Sequence, residues 1–328
     1  MKITKKQIDK LNLELTMVVE HTDYEQAEKK KLAERRRTAD FKGFRKGNVP
    51  PEMIRKVYGE QIRVEVVNDV ISGQLSEAVR DLHILGEPIS SERQGEVDWK
   101  SDGPYTFIFD LGLSPEFKAE ASKSDSVQSY RIEVTDKTKA EVAKNLKKYY
   151  ADKKEKKTDA EIDSEVSGRL ESEYAQEAEW RLTKDIRDYF VKKASLELPE
   201  DFLKRWLFAA NGGKVSKEDI EKDFSGFVED FKWQLVRGRF MQEFALKIEE
   251  KDLKEAAKAF VTYQYAMYGI GNVPEDMIKE AVERLLSDRA QISRLEEQVE
   301  DRKVMEKLKE TITIKEKKIT SEKFRDLK

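Results

Sequence analysis

The sequence predicts an α+β N-terminal domain followed by an elongated all-α region, and three observations carry that prediction. Two stretches, Leu11–Val19 and Tyr105–Leu113, alternate apolar and polar residues with the period of a half-buried strand. From Asp136 onward the apolar residues fall near helical spacing among abundant Glu, Lys and Ala, which favour helix. Charged residues make up 39% of the 328 positions, against about a quarter in an ordinary globular chain. Such a chain has too little apolar material for one large core. It has too many aromatic residues (15 Phe, 11 Tyr, 4 Trp) for a disordered polyelectrolyte, so several small cores with high surface area are expected.

In chain order, Leu11, Leu13, Leu15, Met17 and Val19 make a first strand, and Asp23 is positioned to cap a helix over about 24–39. A breaker-rich stretch follows from Asp40 to Pro51. Helical spacing of Ile54, Val57, Ile62, Val66, Val70 and Ile71 predicts a helix over 52–81, with Gly59 and Gly73 as expected interruptions. Strands near 84–97 and 105–113 close a domain over residues 1–114. Residues 115–159 read as a connector and linker helix: a serine-rich run, a short strand at Tyr130, Ile132 and Val134, a helix over 137–150 and a charged break at 152–159. Residues 160–328 read as a helical domain, with helices over 160–195, 199–211, 216–248, 250–268 and 274–310 and a short docked tail.

Several chemistries are excluded. There is no cysteine, hence no disulfide, thiolate metal site or cysteine nucleophile. The two histidines, His21 and His83, have no nucleophile or metal-ligand pattern nearby. No phosphate-binding glycine loop, dinucleotide fingerprint or zinc-protease motif occurs. The expectation is a protein without cofactor or catalytic centre. No apolar signal core follows Met1 and no 18 apolar residues run together, which predicts a soluble cytoplasmic protein with no membrane partner.

The charge distribution points to binding. Net charge is only −3, yet residues 29–46 hold nine Lys or Arg against Glu34 and Asp40, a local +7. That run ends in a glycine-flanked loop carrying Phe44 beside Arg45 and Lys46. An aromatic and cations on a tip between two helices suit an RNA–protein surface, where phosphates attract the cations and the aromatic buries itself. In the helical half, Phe224, Phe227, Phe231 and Leu235 form one stripe and Phe260, Tyr263, Met267 and Tyr268 another. Such stripes are ordinarily core. Gly47-Asn48-Val49-Pro50 recurs as Gly271-Asn272-Val273-Pro274, each before an acidic residue and a Met-Ile pair, which reads as a shared helix-start pattern.

Gly43-Phe44-Arg45-Lys46-Gly47-Asn48-Val49-Pro50 resembles the ribosome-docking signature of the trigger factor family, of the form Gly-Phe-Arg-x-Gly-x-x-Pro. Its flanks match as well: a strand and basic helix before it, and a helix containing Val57-Tyr58-Gly59 after it. More weakly, Glu197–Leu203 is similar to a helix junction of the family's C-terminal domain, and Thr311–Leu327 to its ending. The resemblance implies that Gly43, Phe44, Arg45, Lys46 and Gly47 touch the large ribosomal subunit at the tunnel exit, with Arg36, Arg37 and Lys42 near rRNA and ribosomal protein. It also implies a C-terminal centre with helical arms enclosing an apolar cradle for nascent and unfolded polypeptides. Phe190, Phe202, Trp206, Phe224, Phe227, Phe231, Tyr263 and Met267 are the expected client contacts. With no ATP site visible, release follows from weak affinity. An unoccupied cradle invites self-association, so a homodimer is an expectation for the free protein. Members usually carry an FKBP-like prolyl isomerase between connector and arms. Here the linker helix passes within a few residues into the next long helix, so that domain and its activity are expected to be absent. Two other readings stay open: a general RNA-binding protein using residues 29–46, and a helical scaffold with every stripe buried.

Overall fold

The computed structural model describes residues 1–153, 155 and 157–327. One compact unit comprises residues 1–116 and 197–227; a second comprises residues 117–196 and 228–328.

In the first unit, β1 (Lys2–Gln7) and β2 (Asn12–Val19) pair antiparallel. Helices α1 (His21–Thr38) and α2 (Pro51–Val79) follow, then β3 (Ile84–Ser90) and β4 (Tyr105–Leu113). The sheet order is β1-β2-β4-β3, every neighbouring pair antiparallel. Strand alternation places Leu13, Leu15, Met17 and Val19 on one face, where they pack with Ile62, Val66, Val67 and Ile71 of α2. The other face buries Glu14, ion-paired with Arg93. Between the helices, Glu28 accepts from the Arg63 guanidinium at 3.0 Å, both side chains buried. Arg63 also donates to the Ser101 carbonyl at 2.7 Å and pairs with Asp102 at 2.8 Å, tying the 98–104 turns to α2.

Helix α5 (Glu200–Ala210) completes this unit by packing on β3 and β4. Phe202 lies against the backbone of Gly112 and the Trp206 indole against Gly86, positions where a methyl group would collide with the rings at 2.5 and 2.6 Å. Arg205 adds an ion pair to Asp110 at 2.6 Å.

In the second unit, β5 (Ser126–Glu133) pairs in parallel with β6 (Thr313–Thr320), the predicted docked tail. Against this pair lie α3 (Asp136–Asp152) and α4 (Asp159–Ala194), sharing a core of Ile132, Ile162, Val166, Leu170, Tyr174 and Ile319. A second core joins α4 to the C-terminal part of α6 (Lys217–Glu243) and to α9 (Arg289–Thr311) through Ile186, Phe190, Trp233, Phe240, Val304 and Leu308. Helices α7 (Glu250–Met267) and α8 (Glu275–Leu285) form a hairpin whose first helix packs on α9. A five-residue helix α10 (Ser321–Arg325) follows β6.

The departures from expectation have local causes. Glu20, not Asp23, is the N-cap of α1; Asp23 sits at the third helical position and closes a capping box by accepting from the Glu20 N–H at 2.8 Å. Gly59 and Gly73 do not interrupt α2, since the helix is held by its packed apolar face. Val57 is not core but 58% exposed, because it falls one residue off the face that buries Ile54. The helix expected over 274–310 is two, broken where the Asp288 carboxylate caps α9 by accepting from the Ala290 N–H at 2.8 Å. Strand β3 stops at Ser90, where residues 91–94 turn.

Candidate functional site

The loop between α1 and α2 is pinned at both ends and projects in the middle. Val49 is fully buried with Ala39 and Ile54, and Phe41 packs edge-on against Tyr58 of α2 at 6.0 Å. Arg36 Nε donates to the Val49 carbonyl at 2.8 Å, and the Arg35 guanidinium lies 4.4 Å over the Tyr58 ring. Between these anchors the chain makes two tight turns: the Phe44 N–H donates to the Phe41 carbonyl at 3.0 Å, and the Asn48 N–H to the Arg45 carbonyl at 2.9 Å. Gly43 and Gly47 hold φ of +92° and +85°, in the region that side chains other than glycine avoid, and nothing lies within 4 Å of where their Cβ atoms would be. The turns leave Phe44 40% exposed at the tip.

The cations of residues 29–46 divide into two sets. Lys29 pairs with Glu25, and Lys31 with Glu65 and Asp69, both at 2.8 Å; those hydrogen bonds raise the Lys31 pKa above the ordinary lysine value. Arg35 and Arg36 serve the loop itself. Among the described residues, Lys30, Arg37, Lys42, Arg45 and Lys46 have no ion pair, side-chain hydrogen bond or ring contact, and all five are exposed. An exposed aromatic beside unneutralised cations is equipped to bind an apolar, anionic surface. Of the predicted docking residues, Arg36 is therefore a brace of the loop, whereas the others lie on it or beside it.

The predicted client residues separate more sharply. Phe190 and Phe202 are each 2% exposed and Phe224 is 6% exposed, so these three are core side chains and present no surface. Trp206 is half-buried on Gly86, and among the described residues its indole N–H has no hydrogen-bond partner. Phe227 and Phe231 are half-buried on α6, Phe227 stacked on Phe224 at 5.9 Å. Tyr263 and Met267, by contrast, are 64% and 69% exposed at the α7–α8 turn. Around them, Tyr268, Ile270 and Met277 are exposed as well, and residues 259–274 contain no Asp, Glu, Lys or Arg. Of the large apolar residues exposed among the described positions, most fall in two short stretches, 44–57 and 263–277. That clustering marks two patches rather than scattered exposure. Sequence reasoning missed Met53, Ile270 and Met277; the charge-free run was the available signal for Ile270.

Two family models match the chain: one described as bacterial trigger factor protein over residues 1–149, the other as probable trigger factor, C-terminal domain, over residues 178–328. The chain belongs to the trigger factor family. A trigger factor of Francisella tularensis subsp. novicida is 31% identical over 166 residues, 51% of this chain and 36% of that relative. One of Coxiella burnetii is 29% identical over 161 residues, 48% of this chain and 35% of the relative. The chain thus aligns with about a third of the length of these trigger factors. A solved trigger factor chaperone structure, reported for promiscuous substrate recognition in folding and assembly, is similar in fold: TM-score 0.53 at 13% identity, covering 94% of this chain and 99% of that one. Relative to the trigger factor models, residues 150–177 lie between the two matches. They hold the end of α3, residues 153–158 and the first half of α4. Among the described residues no His, Asp or Glu cluster has metal-holding geometry, and no helix is long and apolar enough to cross a membrane.

Proposed function

We propose that this chain is an ATP-independent molecular chaperone that docks at the tunnel exit of the large ribosomal subunit and holds nascent or unfolded polypeptides. The observation carrying the reading is the braced loop that exposes Phe44 beside the unpaired Arg45 and Lys46, on a chain of the trigger factor family. Arg37 and Lys42 extend the cationic surface toward rRNA. The client surface is the uncharged α7–α8 turn around Tyr263, Met267, Tyr268 and Ile270, where flexible Met and broad Tyr faces suit varied apolar sequences. Weak, non-directional burial at such a patch makes release spontaneous and nucleotide unnecessary. Prolyl isomerisation is not part of this activity, because α3 and α4 are separated only by residues 153–158.

The test is co-sedimentation with ribosomes, wild type beside Phe44→Ala/Arg45→Ala/Lys46→Ala, with suppression of aggregation of an unfolded client measured on both proteins. Loss of sedimentation with unchanged suppression supports separate docking and client surfaces. Ribosome binding that survives the triple substitution refutes the docking role, and absence of suppression by the wild type refutes the chaperone role.

A further inference from the structure

Helix α3 helps to cover a strongly apolar stripe while burying little of itself. Ile162, Val166, Leu170 and Tyr174 recur every four residues along α4 and are buried. On α3 no side chain is buried; Val142, Ala143, Leu146 and Tyr150 pack toward that stripe but stay half-buried. The fit leaves a cavity of about 970 Å³ bounded by α3, α4 and α10. Tyr174 lies on its wall, 5% exposed, and its hydroxyl has no hydrogen-bond partner among the described residues. Charge supplies the rest of the hold. Residues 136–157 carry nine lysines against Asp136, Glu141, Asp152 and Glu155, whereas residues 159–179 carry eight Asp or Glu against Arg169 alone. Lys147 pairs with Asp159 at 2.6 Å, Lys157 with Glu165 at 2.5 Å, and the Tyr150 hydroxyl donates to Glu165 at 2.9 Å. Ion pairs this exposed contribute little, and a 17-residue helix without a packed face is marginal in water. Undocking α3 therefore takes little free energy compared with opening a packed core.

We propose that α3 is an autoinhibitory occupant of an acidic, apolar groove on α4, and that a lysine- or arginine-rich amphipathic segment of another polypeptide displaces it. The competitor is identified by what α3 itself is, a lysine-rich helix with one apolar face. It is identified as well by the carboxylates that α3 leaves over: Glu161, Asp163, Glu171 and Glu173 are exposed and have no ion pair among the described residues. On the third wall of the cavity, Glu322 and Arg325 of α10 cancel in charge, so the acidic excess of α4 stands. A better-filling segment would bury the stripe, reach the Tyr174 hydroxyl and pair the spare carboxylates. Nucleic acid is repelled by the same carboxylates. The inference rests on the chaperone reading only for the source of such segments, a nascent or unfolded chain.

The probe is a synthetic peptide with the sequence of residues 136–157, labelled for fluorescence anisotropy and added to the full chain at low salt. Hydrogen exchange of the complex reports whether α3 has left its place. Peptide binding should strip α3 of amide protection while α9 keeps its own, because an undocked α3 does not hold its helix. The same peptide with glutamine in place of every lysine should bind about tenfold more weakly. Lys147→Glu/Tyr150→Phe removes both polar ties from α3 to α4 and leaves the stripe intact; circular dichroism checks its folding. This variant should bind the peptide about fivefold more tightly, since less of the binding free energy goes into evicting α3. No binding to either protein, equal or weaker binding by the variant, equal binding of the glutamine peptide, or binding that leaves α3 protected overturns the proposal. Suppression of aggregation, measured on the same wild-type sample, separates the two readings. If it persists while the peptide fails, only the autoinhibition falls; if it is absent, the chaperone reading falls whatever the peptide does.

Discussion

Replacing Gly43 and Gly47 together by alanine tests whether the shape of the loop, apart from its charges, is what a partner reads. Both glycines hold positive φ, +92° and +85°, where an L side chain raises the energy by about 1–2 kcal/mol per residue. No atom lies within 4 Å of either added Cβ, so the penalty is confined to the backbone and no packing forces the loop to keep its form. The loop relaxes, and the pins at Phe41 and Val49 hold its ends, so the melting temperature should stay close to that of the wild type. Binding must then restore the two turns. The strain of about 2–4 kcal/mol corresponds to an affinity loss of about 30- to 700-fold at about 1.4 kcal/mol per decade. Gly47→Asn should lose less than Gly47→Ala, because asparagine tolerates positive φ better. Equilibrium binding to ribosomes by fluorescence anisotropy of a labelled chain reads the effect. Affinity of the double-alanine variant within threefold of the wild type would refute the reasoning, since a partner indifferent to the turns cannot be reading them.

Other outcomes follow from the same geometry. Phe202→Ala removes a core ring seated on Gly112 and should lower stability by about 3–5 kcal/mol in urea unfolding, while aggregation suppression below the melting point stays normal. Changing Tyr263, Met267, Tyr268 and Ile270 to serine should do the reverse, weakening aggregation suppression severalfold at an unchanged melting temperature. Burial pulls the Asp125 carboxyl upward, but hydrogen bonds from Lys193 at 2.6 Å and Tyr189 at 2.8 Å override it and hold its pKa below the usual value. A folded pKa below the unfolded one contributes stability that is full above about pH 4 and is lost as pH falls through the folded value. Asp125→Asn should therefore lower neutral-pH stability by about 2–3 kcal/mol, and its difference from the wild type in urea unfolding should shrink as pH falls through the folded value. In a proline-limited refolding assay the chain should give no acceleration; a rate rising with its concentration would contradict the isomerase-free reading.

What the sequence made legible follows from which signals are local. Strands β2 and β4 were readable because alternation records one buried face, and Leu13, Leu15, Met17 and Val19 do occupy it. The loop was readable because Gly43 and Gly47 mark positive φ and resemble a known signature. Strand β1 was not, because an edge strand of sequence Lys-Ile-Thr-Lys-Lys-Gln alternates almost nothing. The break before α9 lacks Gly or Pro and rests on one aspartate cap. The aromatic stripes were the hardest case. Helical spacing says that Phe190, Phe224 and Tyr263 each lie on a face, but only tertiary packing decides whether another helix covers it. Phe190 meets Phe240 at 5.1 Å, whereas Tyr263 meets water.

In the proposed function, the two exposed patches divide the labour of recognition by charge. Around Phe44 the chain leaves Arg37, Lys42, Arg45 and Lys46 unneutralised, although 66 acidic residues were available to pair with them. Those charges give a long-range, salt-sensitive attraction to any large anionic surface. Residues 259–274 carry no charge at all in a chain that is 39% charged, so the α7–α8 turn offers contact without steering or register. A carboxylate or lysine there would select among clients by sign. Under the proposed client role its absence admits any apolar segment at similar, low affinity, and a client whose apolar groups become buried in its own core has nothing left to bind. On this reasoning Tyr268→Lys should narrow the range of clients rather than abolish suppression. It would favour acidic segments over basic ones, and equal suppression of an acidic and a basic unfolded client by that variant would show that charge at the turn is not what governs breadth.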